Sequence, residues 1–292
     1  YPDLRNNNKD IETDLYLEES PYHFSFVKGT GDIRHQVQPG KTYDLFICLD
    51  CGDAERLGFS GPLFESAAQT FCVDHHISNQ AFADENYIVP DASSTSELVF
   101  HLLDREKITK EIAEALYIGI VHDTGVFQYS CAGPETFRIA ADLLEKGVDA
   151  PSIIERTYCE KSYAQNQILG RALLESIVFM HGQCIFSSVS QAVMKFYGVT
   201  PKELDGIVSQ LRITKGVEVA IFLYEQEPNV YKVSLRSKEK VDVSRVAVYF
   251  GGGGHVKAAG CTMPGTVHDV INNLAGQIAL QLEPEETKTE EA

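Results

Sequence analysis

The chain has 292 residues, long enough for two domains with a hydrophobic core each. A hydrophobic content of 43% and a charged content of 23% are those of a globular protein and exclude wholesale disorder. No run approaches the roughly 20 apolar residues of a membrane span. The net charge of −17 argues against sequence-blind binding to long duplexes but leaves room for a small anion held by local cations or metals.

The opening "YPDLRNNNKDIETD" is polar and lacks the apolar core of a signal peptide, so a soluble cytoplasmic protein is expected. "YDLFICLD" (43–50) and "TFCVD" (70–74) are short apolar runs that read as buried strands, each ending in Asp. "SGPLFESAAQ" between them reads as a short helix after a turn. "STSELVFHLLDREK" (94–107) follows, with Leu98, His101, Leu102 and Arg105 at helical spacings. "TKEIAEALYIGIV" (109–121) carries Ile112, Ala115, Leu116, Gly119 and Ile120 as an apolar stripe. "PETFRIAADLLEKG" (134–147) starts with Pro, stops at Gly147, and presents Phe137, Ala140, Ala141 and Leu144 as its buried face. Strands interleaved with helices predict an α/β domain with a parallel sheet over 1–155.

The pattern then changes. Residues 156–178 read as a helical connector, and 179–283 as a smaller mixed α+β domain. There, "SIVFMHGQCIFSSVS" predicts two strands about His181–Gly182, and "TPKELDGIVSQL" opens with a capping box of Thr200 and Glu203. "VEVAIFLYE" and "VYKVSLRS" predict two more strands. A helix near 244–250 leads into "GGGGHVKAAG", a last helix covers about 267–282, and 284–292 is an acidic tail.

Seven cysteines, at 48, 51, 72, 131, 159, 184 and 261, are an odd number lying mostly in apolar runs. Cys48 and Cys51 form a C-x-x-C with no second pair to complete a zinc site, so reduced thiols are expected.

In an open parallel sheet, functional groups gather at the carboxyl ends of the strands. Asp50 and Asp74-His75-His76 fall there, and Asp123 in "IVHDTGVF" ends another apolar segment. Acids and imidazoles together suit a hard to borderline divalent cation; a lone Asp at a strand end is also an ordinary cap. "ASSTSEL" (92–98) reads as a helix N-cap. "GGGGH" (251–255) is either a flexible joint or a loop whose N–H groups approach an anion, with His255 beside it. Arg236, at a strand end, is either a surface residue or the partner of a phosphate.

Taken together, "LDCGD", "VDHH", "HDTGVF" and "GGGGHVKAAG" resemble the DHH phosphoesterases that carry a C-terminal DHH-associated domain. Within that family the likeness is to the bacterial nanoRNases that are also pAp phosphatases, the NrnA type. It runs from the first residues to about 283. The resemblance implies two divalent cations, usually manganese, in a cleft between domains. Asp50 would bridge both ions and His75 and Asp123 would bind the second. His76 would contact the scissile phosphate, Asp74 would support the adjacent histidine, and Arg236, Gly251, Gly252, Gly253, Gly254 and His255 would grip the substrate. The implied substrates are short single-stranded RNA or DNA oligonucleotides and pAp. A homodimer is expected from the family alone.

The family's first motif, a strand ending in His or Asn followed by two Asp, supplies much of the first ion's shell. Nothing like it precedes Asp50, and "YPDLRNNNKD" resembles the region just downstream of it. Either the protein continues upstream of Tyr1, by roughly a strand and part of a helix, or the chain does not assemble a normal two-metal centre; the first is the expectation. The rival functions are a cyclic dinucleotide phosphodiesterase and a nucleotide-binding module impaired in catalysis.

Overall fold

The computed structural model describes residues 11–18 and 24–282, so the opening decapeptide and the acidic tail at 284–292 lie outside the described residues. The chain divides into two units, Tyr1–Glu160 and Lys161–Ala292. The division falls inside the segment read as a connector. Residues 156–160 go with the first unit, while 161–178 go with the second.

In the first unit two short strands, β1 (Leu15–Tyr16) and β2 (Ile33–Arg34), pair in parallel. A separate parallel sheet follows, in the order β3 (Leu45–Leu49), β4 (Gln69–Asp74), β5 (Glu85–Ile88). Its register pairs Leu49 with Val73 and Asp74 with Ile88. Parallel pairing therefore brings the residues after β3 and β4 out at one edge. The short helix α1 (Gly61–Ser66) makes the crossover between them, after a 3-10 segment from Ala54 to Ser60. β5 escapes sequence reading because "ENYI" has neither an unbroken apolar run nor a clean alternation; all its residues are partly exposed or exposed.

Three helices follow: α2 (Thr95–Leu102), α3 (Lys110–Asp123) and α4 (Pro134–Glu145). Ser94 caps α2 by accepting the Glu97 N–H at 3.1 Å. The helix stops at Leu102, short of the 94–107 span, because Asp104 starts a separate 3-10 turn at Arg105–Lys107. Ile112, Leu116 and Ile120 of α3 are buried with Phe100, Ile139 and Leu143. The buried face of α4 differs from the expected one. Thr136, Ile139, Ala140 and Leu143 point inward, while Phe137 and Leu144 are 52% and 45% exposed and Ala141 is exposed. Ile139, Ala140 and Leu143 make a rival apolar stripe on the same helix, and Thr136 continues it by bonding the buried carboxylate of Glu97. Phe137 instead stacks on Phe127, with ring centres 5.1 Å apart. A short helix α5 (Ala150–Ile154) and a π-helical turn at Glu155–Cys159 close the unit.

The second unit is a six-stranded mixed sheet with helices on both faces. After α6 (Tyr163–Leu174) come β6 (Ile177–Phe179), β7 (Cys184–Val189), α7 (Gln191–Tyr197), α8 (Ile207–Arg212), β8 (Val219–Glu227) and β9 (Val230–Ser237). Then follow α9 (Val243–Tyr249), β10 (Gly253–His255), β11 (Ala258–Pro264) and α10 (Val267–Leu282). The strand order is β10-β11-β9-β8-β7-β6, with only β7–β8 parallel. "VAIFL" of β8 is continuously apolar because both faces are covered. Val219, Ile221 and Leu223 pack with Val246, Val270 and Leu274 on one side, and Ala220 and Phe222 with Ile168, Ala172 and Leu211 on the other. β9 alternates, burying Tyr231, Val233 and Leu235 and turning Lys232, Ser234 and Arg236 to a half-exposed face.

The four-glycine run is not a loose joint. Its last two glycines are strand residues of β10, and a Cβ on Gly252 would stand 2.2 Å from the carbonyl oxygen of Gly260. Gly254 adopts φ +140, and a Cβ there would stand 2.5 Å from the Ala258 carbonyl oxygen. Gly252→Ala is therefore expected to destabilise the protein by about 2–4 kcal/mol through unavoidable overpacking against backbone. Gly253→Ala, which meets nothing within 4 Å, is expected to cost under about 1 kcal/mol. Urea unfolding of the two variants measures the contrast.

Candidate metal centre

Asp50 is the first residue past β3 and takes a left-handed φ of 60, a conformation Asp tolerates better than most residues. Its N–H bonds the Val73 carbonyl at 3.1 Å, which ties it to the neighbouring strand. Its Oδ1 accepts the Thr95 hydroxyl at 2.8 Å. His75, just past β4, sends its Nε2 to within 3.6 Å of Asp50 Oδ1 and 3.9 Å of Asp123 Oδ2. Asp123 is the last residue of a helix rather than of a strand. Beyond it the backbone turns through Gly125, Val126 and Phe127, at φ 56, 57 and 60. Gly125 adopts this freely, but Val126 and Phe127, the first of them β-branched, are strained there. The Thr124 hydroxyl holds the turn by bonding the Ile120 carbonyl and accepting the Phe127 N–H.

The tautomer of His75 follows from its partner. Nδ1 lies 3.2 Å from the Ala92 carbonyl, which only accepts, so Nδ1 carries a proton and, in the neutral ring that a metal requires, Nε2 presents the lone pair. A ring nitrogen lone pair with one carboxylate oxygen at 3.6 Å and another at 3.9 Å is repelled by both unless a proton or a cation lies among them. Burial first, and then the Asp50 charge, push the Asp123 carboxyl up to about 6, against a partial pull downward from His75 and His76. Two donors each about 2.1 Å from one ion are separated by about 3–3.5 Å, so these residues fit a divalent cation with little adjustment. Their all-oxygen and imidazole character suits a hard or borderline ion.

Asp74 plays another part. It is fully buried, and its Oδ1 accepts both the His75 N–H at 2.8 Å and the His76 imidazole Nδ1–H at 2.7 Å. Oδ2 accepts the Asn79 side-chain amide at 2.7 Å. Burial pushes this carboxyl up, but the Asn79 and His76 donors outweigh it and hold Asp74 below the usual carboxylate range. Asp50, His75 and His76 also offer donor atoms within 4.8 Å of one another. However, the His76 nitrogen nearest Asp50, Nδ1 at 3.9 Å, is the one bonded to Asp74. Asp123 is the second carboxylate that faces the His75 ring, at 3.9 Å from its Nε2.

Thr95 and Asn79 escaped the sequence reading. "ASSTSEL" announced only a helix cap, and Asn79 reads as a turn residue. Cys48, Cys51 and Cys72 cluster in the core of this sheet. Burial pushes the Cys48 thiol up to about 12, and all seven cysteines are free, so the C-x-x-C supplies no thiolate at neutral pH. A cavity of about 320 Å3 opens beside Asp50 and Asp123, walled by Leu49, Val99, Leu103, Ala115 and Gly119.

The remaining expected residues lie in the second unit. The sheet register sets Arg236 opposite Ala258, and Ala258 opposite His255, so Arg236 and His255 share one face across three strands. The Arg236 guanidinium bonds its neighbour's carbonyl, Leu235, at 3.0 Å. Gly251, with φ 75, and Gly252 turn the chain into β10, whose Gly253 and Gly254 pair with Gly260 and Ala259.

Residues 3–120 match the DHH family N-terminal domain, and residues 185–280 match the DHHA1 domain. The chain is 33% identical over 196 residues to the bifunctional oligoribonuclease and PAP phosphatase NrnA of Thermus thermophilus, covering 66% of this chain and 58% of that protein. It is 31% identical over 190 residues to the probable bifunctional oligoribonuclease and PAP phosphatase NrnA of Streptococcus mutans, covering 64% and 60%. The chain thus spans about three fifths of the length of these two relatives. A crystal structure of an exopolyphosphatase-related protein from Bacteroides fragilis superposes with a TM-score of 0.85 at 26% identity, covering 94% of this chain and 86% of that one. Among the described residues no helix is long and apolar enough to cross a membrane.

Proposed function

We propose, from the premise that the chain belongs to the DHH family and carries a DHHA1 domain, that it is a metal-dependent phosphoesterase. It hydrolyses short oligonucleotides to mononucleotides and pAp to AMP. The observation that carries this reading is that His75 Nε2 faces two carboxylates, Asp50 Oδ1 at 3.6 Å and Asp123 Oδ2 at 3.9 Å. The activities named for the Thermus and Streptococcus relatives support the choice of substrates.

Asp50, His75 and Asp123 would hold divalent cations, with Mn2+ the ion proposed. Bound ions of this kind supply an activated water near neutral pH and neutralise charge on the reacting phosphoryl group. His76 is held by Asp74 through Nδ1, which leaves Nε2 as the ring atom that meets a phosphate oxygen. Asp74 fixes that ring and keeps its Nδ1 protonated. Arg236, Gly251, Gly252, Gly253, Gly254 and His255 are the proposed phosphate-binding set of the DHHA1 domain: a guanidinium for bidentate contact, beside a glycine run without side chains to keep an anion off, whose Gly251 and Gly252 N–H groups are themselves held by the Val248 and Ala247 carbonyls.

The test is product release from pAp, a linear dinucleotide and a cyclic dinucleotide, with and without Mn2+, alongside calorimetry with pAp. Mn2+-dependent release of AMP and of mononucleotide is expected, with the linear substrate preferred over the cyclic one. A preference for the cyclic dinucleotide would replace this reading with a cyclic dinucleotide phosphodiesterase. Binding of pAp without turnover would make the chain a nucleotide-binding module.

A further inference from the structure

We infer that Glu97 is a positioning residue for the metal centre, acting through Ser93 on the Ala92 carbonyl that orients His75; the inference rests on the metal reading above. Glu97 stands three residues after the N-cap Ser94, where a capping-box acid reaches back along the surface. Its carboxylate is instead turned inward. It is only 8% exposed, and its Oε2 accepts two hydroxyls, Ser93 at 2.6 Å and Thr136 at 2.9 Å. Burying a carboxylate is costly unless donors satisfy it, and capping a helix does not demand that cost.

What the buried acid secures is the segment between β5 and α2. Ser93, Ser94 and Thr95 are all buried polar residues. At one end of that segment, Ala92 offers the carbonyl bonded by His75 Nδ1 at 3.2 Å. At the other, the Thr95 hydroxyl holds Asp50 Oδ1 at 2.8 Å. Four consecutive residues therefore carry the orienting partners of two ligands. Glu97 ties their middle to α4 through Thr136, whose side chain is likewise buried. Both hydroxyls land on one oxygen, so the amide oxygen of Gln can accept both, and the geometry rather than the charge is what matters.

The experiment compares wild type, Ser93→Ala, Glu97→Gln and Thr136→Val in three readouts. These are Mn2+ affinity by calorimetry, the thermal midpoint, and the His75 ring tautomer in the metal-free protein by 15N NMR. Ser93→Ala is expected to weaken Mn2+ binding by about 10–100-fold, the usual effect of losing an outer-shell partner, and to shift the ring away from its Nδ1–H form. Glu97→Gln should stay within about threefold of wild type, well inside that range. Thr136→Val should lower the midpoint and leave affinity unchanged, because Glu97 still holds Ser93. Wild-type affinity and tautomer in Ser93→Ala overturn the inference. So do losses of affinity that merely track the midpoints of all the variants. If wild type itself takes up no Mn2+, the metal reading fails, and the ring then decides alone: a tautomer unchanged by Ser93→Ala overturns the positioning role.

Discussion

Asp50→Asn is expected to lower Mn2+-dependent phosphate release by at least about 100-fold while leaving the fold intact. Asn is nearly isosteric, tolerates the left-handed φ of 60 at this position, and can still accept the Thr95 hydroxyl through its amide oxygen. What it loses is the negative charge 3.6 Å from His75 Nε2. An amide is a far weaker ligand for a hard cation than a carboxylate. Ala at the same position would confuse the outcome, because it would add backbone strain and leave the Thr95 hydroxyl without this acceptor. Circular dichroism and the thermal midpoint of the metal-free protein should match wild type. Turnover within about tenfold of wild type would remove Asp50 from the proposed centre.

Asp123→Asn should act in opposite directions on stability and on metal binding. Its carboxyl is raised to about 6, by burial first and by Asp50 second, against an ordinary value near 3.8. An acid whose folded-state value is raised binds its proton more tightly folded than unfolded. The resulting stability is complete below about pH 4 and is lost as pH rises through about 6. Above pH 6 the metal-free wild type therefore carries an unfavourable buried charge that the Asn variant lacks. The side chain is 34% exposed, so solvent screens much of this, and the variant is expected to be more stable by about 1–2 kcal/mol. That advantage should shrink as pH falls from about 6 to about 4. Excess Mn2+ should reverse the order above pH 6, because only wild type gains the binding free energy. Thermal midpoints of both proteins from pH 4 to 8, with chelator and with Mn2+, give the answer. A wild type that remains the more stable at pH 7 without metal would show that Asp123 is not held against its charge.

Which groups meet was legible where it depended on strand direction. Two apolar runs, each followed by an acid, form parallel neighbours, and the parallel ladder brings Asp50 and Asp74 out at one edge. The Thr200–Glu203 capping box was equally legible, because a cap is a contact across three residues. The buried face of α4 was not. Phe137 with Leu144 and Ile139 with Leu143 are rival apolar stripes of similar strength, and the buried one carries Thr136, bonded by a carboxylate 39 residues earlier in the chain. Nor was β5, whose residues are only partly covered and leave no pattern.

By itself, then, the amino-acid order determined the class of each unit and the chemical kinds of group available: acids and imidazoles behind strands, glycines before a His. Those are properties of short windows, governed by periodicity and by the needs of turns and caps. Only the tertiary structure decided which nitrogen of His75 faces the carboxylates, that Asp74 bonds His76, and that Thr95 bonds Asp50 while Glu97 bonds Ser93. These depend on hydrogen bonds between residues 17 or more apart, as with Ala92 to His75 and Thr95 to Asp50, or on which atom of a near neighbour is reached once the backbone is in place. Such bonds are short-ranged and directional, so no local pattern of side chains foretells them.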